Sequence, residues 1–226
     1  MDPRLRAYAL KQLAFLGVSV GIMFLAAGRL DWLGGWLMTA LLVGGQAAQW
    51  LLVGRRHPDL LVERSRAGAN TDRRDIPRAM AMAYGSLLAM LIAGLEVRLN
   101  GLPEVADFVA VAGFALAAVG VGISIVAMLA NRFFAPVVRI QDDRGHVVVD
   151  SGPYAIVRHP GYAGMILFYL GLPLMFGSWW VGLIMALTIA ITLVRTAHED
   201  EYLRANLEGY AAYAERVRWR LMPHIW

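Results

Sequence analysis

The sequence contains no cysteine, so it can form neither disulfides nor thiolate metal sites. Its five histidines show no H-E-x-x-H or comparable ligand spacing, and we therefore expect no metal centre. No G-x-G-x-x-G follows a strand, and there is no P-loop. The sequence has one G-x-S-x-G, Gly17-Val18-Ser19-Val20-Gly21, but it lies inside the first apolar stretch and is not a strand-to-helix nucleophile elbow. Any cofactor is therefore bound by something other than the familiar soluble nucleotide-binding or hydrolase folds.

Charge is also scarce, at 17% of residues, whereas 58% of residues are hydrophobic. The apolar residues form six stretches, at 9–28, 32–53, 79–97, 108–130, 162–178 and 179–195. A membrane-spanning helix needs about 20 apolar residues, with a range of about 17–25, and the first four stretches meet this requirement. The last two are shorter and are joined by a turn at 176–179, which predicts a tight helical hairpin. The sequence thus predicts an all-α polytopic membrane bundle of about six transmembrane helices.

The basic residues are distributed asymmetrically about these stretches. Of the 21 Lys and Arg residues, all but Arg29 and Arg98 lie on one side of the predicted membrane. Because positive charge is retained on the cytoplasmic side, both termini, the 54–78 loop and the 131–161 segment are expected to be cytoplasmic. This placement accounts for the net charge of +4 without a nucleic-acid partner. The preference for arginine over lysine is typical of a GC-rich genome and suggests a bacterial inner membrane.

The composition changes near residue 131, where polar residues become dense and chemically varied. We interpret residues 1–130 as a four-helix membrane platform. Residues 131–226 are expected to form the cofactor-binding and catalytic region, with the terminal helical hairpin and a C-terminal tail helix. Within the platform, His57-Pro58 and Glu63-Arg64-Ser65-Arg66 of the first long loop are interpreted as mostly solvated and lipid-facing, with headgroup binding and packing over the site as the alternatives. Glu96 is interpreted as an interfacial partner of Arg98.

The first polar cluster of the C-terminal region opens the fifth apolar stretch. A β-prone run at 146–149 leads through a Gly-Pro turn to Arg158-His159-Pro160-Gly161. Proline suits the first turn of a helix, where its missing N–H needs no partner. The free N–H groups of that turn, together with Arg158 and His159, favour a carboxylate or another anionic group. An anchor among lipid headgroups explains the same two side chains equally well.

The second polar cluster ends the sixth stretch. Arg195 and Glu199 are four residues apart and share a helix face, so a simple surface ion pair is one interpretation. Arg195, however, directly follows an apolar run and lies close to hydrocarbon depth. Ionisable groups at that depth are costly and indicate a functional site.

Three motifs together resemble the isoprenylcysteine carboxyl methyltransferase and phospholipid methyltransferase superfamily. They are Gly152-Pro153-Tyr154 with Arg158-His159-Pro160-Gly161-Tyr162-Ala163-Gly164, then Arg195-x-x-x-Glu199-Asp200-x-x-Leu203, and the tail Gly209-Tyr210 through Arg218-Trp219-Arg220-Leu221-Met222-Pro223. The resemblance is specific over residues 140–226 and only topological before them. Asp200 stands where many members carry a second Glu, which preserves the charge.

The resemblance implies an integral membrane methyltransferase that uses S-adenosyl-L-methionine and releases S-adenosyl-L-homocysteine. It implies that the cofactor is bound by His146, Val147, Val148, Val149, Tyr154, His159, Pro160, Gly161, Tyr162 and Glu199. Glu199 is expected to contact the cofactor's polar groups, and Arg195 is expected to face the methyl acceptor, which makes these two the catalytic candidates. The expected partners are membrane lipids and a lipophilic acceptor, which is a small molecule, a lipid or a prenylated protein.

The chemistry of the acceptor remains open at this point. A carboxylate is already nucleophilic, and Arg195 can orient it with a fork of donors. An amine must be neutral when it attacks, so Glu199 or His198 would have to accept its proton.

Two other function classes also remain open. Sterol-type membrane reductases resemble this C-terminal architecture, and Arg139 and Arg144 can be assigned to the 2′-phosphate of NADPH. No clear Tyr/Asp proton-donor pair accompanies them. A non-enzymatic scaffold or transporter would have polar residues in the middle of several spans, and the first four stretches contain almost none.

Overall fold

The computed structural model describes residues 3–64 and 71–226. Its α-helices are α1 Pro3–Ala27, α2 Leu33–Ala48, α3 Gly54–Arg56, α4 Pro58–Glu63, α5 Ile76–Asn100, α6 Asp107–Ala130, α7 Pro160–Phe176, α8 Trp179–Asn206 and α9 Tyr210–Arg216. A π-helical turn, Gln49–Val53, joins α2 to α3, and short 3₁₀ turns lie at Asp142–Arg144 and Gly152–Ala155. The expected all-α helical bundle is confirmed.

Within the described chain, five helical segments are long and apolar enough to cross a membrane. They are α1, the α2–α3 segment Leu33–Arg56, α5, α6 and α8, while α7 is a shorter apolar helix of 17 residues. These lengths agree with the prediction of four full spans followed by a helical hairpin. The hairpin differs in one respect, because α8 does not end near residue 195 but continues to Asn206.

Local sequence explains the α7–α8 hairpin. Pro160 occupies the first turn of α7, where its missing N–H costs no hydrogen bond. Gly177 ends α7 with a left-handed φ of +60°, which glycine adopts without steric cost. The Ser178 side chain then accepts a hydrogen bond from the Val181 N–H at 3.0 Å and caps α8.

Glycines bring α6 and α7 into direct backbone contact. A Cβ atom on Gly120 would lie 2.4 Å from the Gly164 carbonyl oxygen, and one on Gly171 would lie 2.5 Å from that of Gly113. Small residues permit this approach, which supplies van der Waals packing in a membrane where the hydrophobic effect does not drive helix association. The contact fixes the start of α7 against α6.

Three interpretations from sequence were wrong: the solvated loop after α2, the β-prone run at 146–149 and the pair between Glu96 and Arg98. The loop after α2 is packed rather than solvated, since Glu63 pairs with buried Arg139 and the Arg64 guanidinium lies 5.3 Å from the Phe134 ring centroid. Residues 65 and 66 of that interpretation lie outside the described residues. The run at 146–149 forms no strand in the described structure.

The expected pair between Glu96 and Arg98 is not formed. Glu96 accepts a hydrogen bond from the Ser178 hydroxyl instead. Arg98 donates to the Leu25 carbonyl oxygen at 2.7 Å. Glu96 therefore connects α5 to the start of α8, and Arg98 connects α5 to α1. Both contacts lie at the membrane face opposite the predicted cytoplasmic side.

The α6–α7 contact can be tested with two glycines that are two residues apart. Gly120→Ala forces a methyl group against the α7 backbone, and overpacking of this kind costs about 1–3 kcal/mol. We expect a clearly lower midpoint of thermal unfolding in detergent. Gly122→Ala is the matched control, because no atom lies within 4 Å of its added Cβ. Equal midpoints for the two variants would contradict the proposed packing.

Candidate active site

A cavity of about 440 Å³ lies where α5, α7 and α8 meet the 131–149 segment. Its polar end is lined by most of the residues expected from sequence: His146, Val147, Val148, Val149, Tyr154, His159, Gly161, Tyr162, Arg195 and Glu199. Pro160 is the exception, because it is buried in the first turn of α7 and does not line the cavity. The structure thus brings the two sequence clusters together around one space.

The other end of the cavity is apolar and extends among the membrane helices. Its lining includes Phe15, Met38, Leu42, Met82, Met90, Met165 and Phe168, from α1, α2, α5 and α7. Methionine side chains are flexible and polarizable, so they adapt to apolar ligands of irregular shape. Residues 1–130 therefore contribute directly to the cavity, which sequence reasoning assigned to the C-terminal region.

Glu199 faces the polar end of the cavity from α8. It accepts a short hydrogen bond from the Tyr162 hydroxyl. The Arg195 guanidinium carbon lies 5.4 Å from the centroid of the Tyr162 ring, in a cation–π arrangement. Arg195 and Glu199 thus meet across Tyr162, and they do not form the direct i,i+4 ion pair considered from sequence.

Arg195 instead forms an ion pair with Asp75, a residue that sequence reasoning missed. Its Nε and Nη2 atoms each donate to one carboxylate oxygen of Asp75 at 2.7 Å. Asp75 is fully buried at the start of α5, and its carboxylate also accepts the Val138 N–H at 2.8 Å. The sequence feature that could have indicated Asp75 is its position directly before Ile76-Pro77, where an apolar span begins.

Arg158 and His159 are neither lipid anchors nor a free anion site. Arg158 donates to both carboxylate oxygens of buried Asp200, at 2.7 and 3.0 Å, and His159 Nε2 lies 3.3 Å from the same carboxylate. The Tyr210 hydroxyl donates to it as well, at 3.0 Å. Asp200 therefore joins the start of α7, α8 and the C-terminal tail behind the cavity.

The first turn of α7 offers fewer free N–H groups than expected. The N–H groups of Tyr162 and Ala163 both donate to the His159 carbonyl oxygen, at 3.1 and 3.2 Å. The N–H of His159 itself donates to the Arg220 carbonyl oxygen at 2.8 Å. Backbone donors of this turn are therefore largely occupied, and the side chains of Tyr162, Arg195 and Glu199 dominate the polar chemistry of the cavity.

Comparison with known proteins shows which families this chain is similar to. A family model described as phospholipid methyltransferase matches residues 108–208, which include α6, α7 and α8. A probable protein-S-isoprenylcysteine O-methyltransferase of Oryza sativa subsp. indica is 28% identical over 196 residues, covering 80% of this chain and 92% of that protein. The protein-S-isoprenylcysteine O-methyltransferase B of Arabidopsis thaliana is 30% identical over 94 residues, covering 39% and 46%. A cobalt-zinc-cadmium resistance protein of Cupriavidus metallidurans is 36% identical over 81 residues, covering 34% and 37%.

These matches support the resemblance to the isoprenylcysteine carboxyl methyltransferase and phospholipid methyltransferase superfamily. The relatives' names indicate a methyltransferase rather than the reductase or scaffold that the sequence left open. The five long apolar helices make this methyltransferase an integral membrane protein. Within the described residues, three or more His, Cys, Asp or Glu side chains nowhere form a cluster able to hold a metal ion.

His146 is the one histidine of this methyltransferase cavity that lies well outside the spans. Its Nδ1 accepts the Gln141 N–H at 3.3 Å, and its ring centroid lies 4.5 Å from that of Phe133. Burial lowers the pKa of His146 to about 4. The imidazole is therefore neutral near pH 7, and it contributes an uncharged surface and a hydrogen-bond acceptor to the 141–149 turn.

This lowered pKa predicts a pH dependence of stability. The unfolded chain binds a proton at His146 near pH 6.5 while the folded chain does so only near pH 4, so stability falls as the pH drops through this window. His146→Gln should remove the part of this stability loss that protonation of His146 causes. Thermal unfolding in detergent at pH 7.0, 6.0 and 5.0 measures it, with the exposed His224→Gln as control. If the unfolding midpoints of His146→Gln and wild type fell equally with pH, His146 would not be held neutral by the fold.

Proposed function

We propose that this protein transfers a methyl group from S-adenosyl-L-methionine to the carboxylate of an S-prenylated cysteine at the cytoplasmic face of the membrane. The observation that carries the proposal is the cavity itself. It joins a polar end, with Glu199, Tyr162 and Arg195, to an apolar end among the membrane helices. A donor that is polar and an acceptor that is lipophilic need this combination.

The residues at the polar end fit S-adenosyl-L-methionine. Glu199 is a carboxylate that accepts a hydrogen bond from the neutral Tyr162 hydroxyl, so it suits the ammonium group of the cofactor. The rings of Tyr154 and Tyr162 suit its cationic and apolar parts, and Val147 to Val149 supply an apolar wall. When bound, the cofactor supplies a methyl group that its sulfonium has already activated.

The apolar end suits a prenyl chain. Met38, Met82 and Met90 are almost completely buried and line it. Phe15 on α1 and Ala83 on α5 also line it, and both are exposed on the outside of the bundle, where lipid surrounds the helices. A lipophilic acceptor can therefore enter sideways from the bilayer, which explains why the catalyst lies in a membrane.

A carboxylate acceptor agrees with the geometry better than an amine. Methylation of a protonated amine requires a base, and Glu199 and His198 were the candidates. Glu199 is assigned above to the ammonium group of the cofactor, which leaves His198. His198 does not line the cavity, and its Nε2 lies 2.6 Å from an oxygen of Asp72. A carboxylate needs no base, only alignment beside the donor and exclusion of water. The relatives of greatest coverage are named for isoprenylcysteine O-methylation, in agreement with this choice.

Orientation in the membrane is part of the same proposal. The segments that line the polar end lie on the side of the predicted membrane that carries all Lys and Arg residues except Arg29 and Arg98, and positive charge is retained on the cytoplasmic side. The cavity therefore opens toward the cytoplasm, and the arginine-rich composition agrees with a bacterial inner membrane.

The acceptor assignment is tested with purified protein, S-adenosyl-L-methionine labelled in its methyl group, and N-acetyl-S-farnesylcysteine. We expect base-labile label in the farnesylated product, as a methyl ester requires. The amide of the same compound, which lacks the carboxylate, and phosphatidylethanolamine should receive no label. Transfer to phosphatidylethanolamine alone would show that the acceptor is a lipid amine.

A further inference from the structure

Asp75 is the buried partner of Arg195, and its carboxylate joins three parts of the chain. It binds Arg195 of α8 through two hydrogen bonds of 2.7 Å, and it accepts the Val138 N–H at 2.8 Å. The chain on either side reinforces this contact, because the Asp72 N–H donates to the Val138 carbonyl oxygen at 2.9 Å. Asp75 thus fixes α8 against the segment that lines the polar end of the cavity.

These contacts occupy most of the donors of Arg195. An arginine side chain carries five N–H donors, one on Nε and two on each Nη. Nε and one N–H of Nη2 bind Asp75, and Nη2 also donates to the Pro136 carbonyl oxygen at 2.6 Å. Nη1 remains, with the sulfur of Met82 at 3.7 Å as a weak acceptor. Met82 lines the apolar end, so Nη1 is the donor directed between the two ends of the cavity.

We propose that Asp75 is a positioning residue that restricts Arg195 to one nitrogen, Nη1, for binding the acceptor carboxylate. The inference rests on the proposed function, and it replaces the two-pronged fork expected from sequence. With its Nε–Nη2 edge held by Asp75, Arg195 cannot present two parallel N–H groups on that edge to another carboxylate. One oxygen of the acceptor is then held, and the other keeps its lone pairs free.

The free oxygen is the one that reacts. It forms a bond to the methyl carbon while the bond from that carbon to the sulfonium sulfur breaks, and the electron pair of the broken bond stays on sulfur. The products are a methyl ester and a neutral thioether, and no proton is transferred. The negative charge of Asp75 also compensates Arg195, so the guanidinium draws less electron density from the attacking carboxylate.

Two parallel hydrogen bonds from Arg195 to the acceptor would stabilise the bound carboxylate more than the transition state. Both oxygens would be held by charge-assisted hydrogen bonds that weaken as the carboxylate loses its charge. Interactions stronger in the ground state than in the transition state lower KM and kcat together. Release of Arg195 from Asp75 should therefore lower kcat and KM together, whereas simple loss of structure would not lower KM.

Asp75→Asn tests this role because it keeps the shape of the side chain and removes the charge that holds Arg195. With N-acetyl-S-farnesylcysteine as acceptor, we expect kcat to fall at least about 10-fold and KM to fall about 3-fold or more. Affinity for S-adenosyl-L-homocysteine, measured by calorimetry, should change by less than about 2-fold. Asp72→Asn is the matched control, since it removes the neighbouring contact to His198 outside the cavity and should change neither kinetic constant.

Three results would overturn the inference while leaving the proposed function intact. They are unchanged values of both kcat and KM, a raised KM with constant kcat, and parallel losses of kcat and cofactor affinity. If Asp75→Asn does not fold, Asp75→Glu keeps the charge and displaces the guanidinium, and it should lower kcat without lowering KM. Unchanged kinetics in Asp75→Glu would also overturn the inference. No transfer by wild-type protein to the farnesylated acceptor would overturn the proposed function and the role of Asp75 together.

Discussion

The arrangement of this protein depends on the pairing of buried charges near the C-terminal end of α8. An unpaired charge removed from water is strongly destabilising, so each of these side chains must find a partner from another part of the chain. Arg195 finds Asp75 at the start of α5, and Asp200 finds Arg158 before α7. These two pairs hold the loop after α4, the segment after α6 and the C-terminal tail around one helix. Glu199 lies between the two pairs on the same helix and is left to face the cavity.

The two ends of the cavity differ in chemistry. The apolar end lies among the membrane helices and is lined by methionine and phenylalanine, which suits the proposed prenyl chain. The polar end contains Tyr154, Tyr162 and Glu199, which suit the proposed polar, cationic donor. Methyl transfer requires only that donor and acceptor meet in line with water excluded. The boundary between the two environments is therefore the natural place for the reaction, and Arg195 lies there.

Much of this architecture was predictable from sequence because it follows from short-range patterns. Long apolar runs predict the spans, and Pro160 with Gly177 marks the limits of α7. The two polar clusters also contain most of the residues that line the polar end. The Asp75–Arg195 pair was not predictable, since its partners are 120 residues apart and each has a plausible local explanation. The packed loop after α2 was missed for the same reason: charge patterns show which residues are polar but not which side chains they meet.

The most direct test of this account is calorimetric titration of the detergent-purified protein with S-adenosyl-L-homocysteine and, in parallel, with NADPH. We expect saturable binding of S-adenosyl-L-homocysteine alone. We also expect Glu199→Gln to weaken this binding about 10-fold or more, as the loss of a charge-assisted hydrogen bond requires. Binding of NADPH instead, or an affinity for S-adenosyl-L-homocysteine that Glu199→Gln leaves unchanged, would contradict the assignment of the cavity.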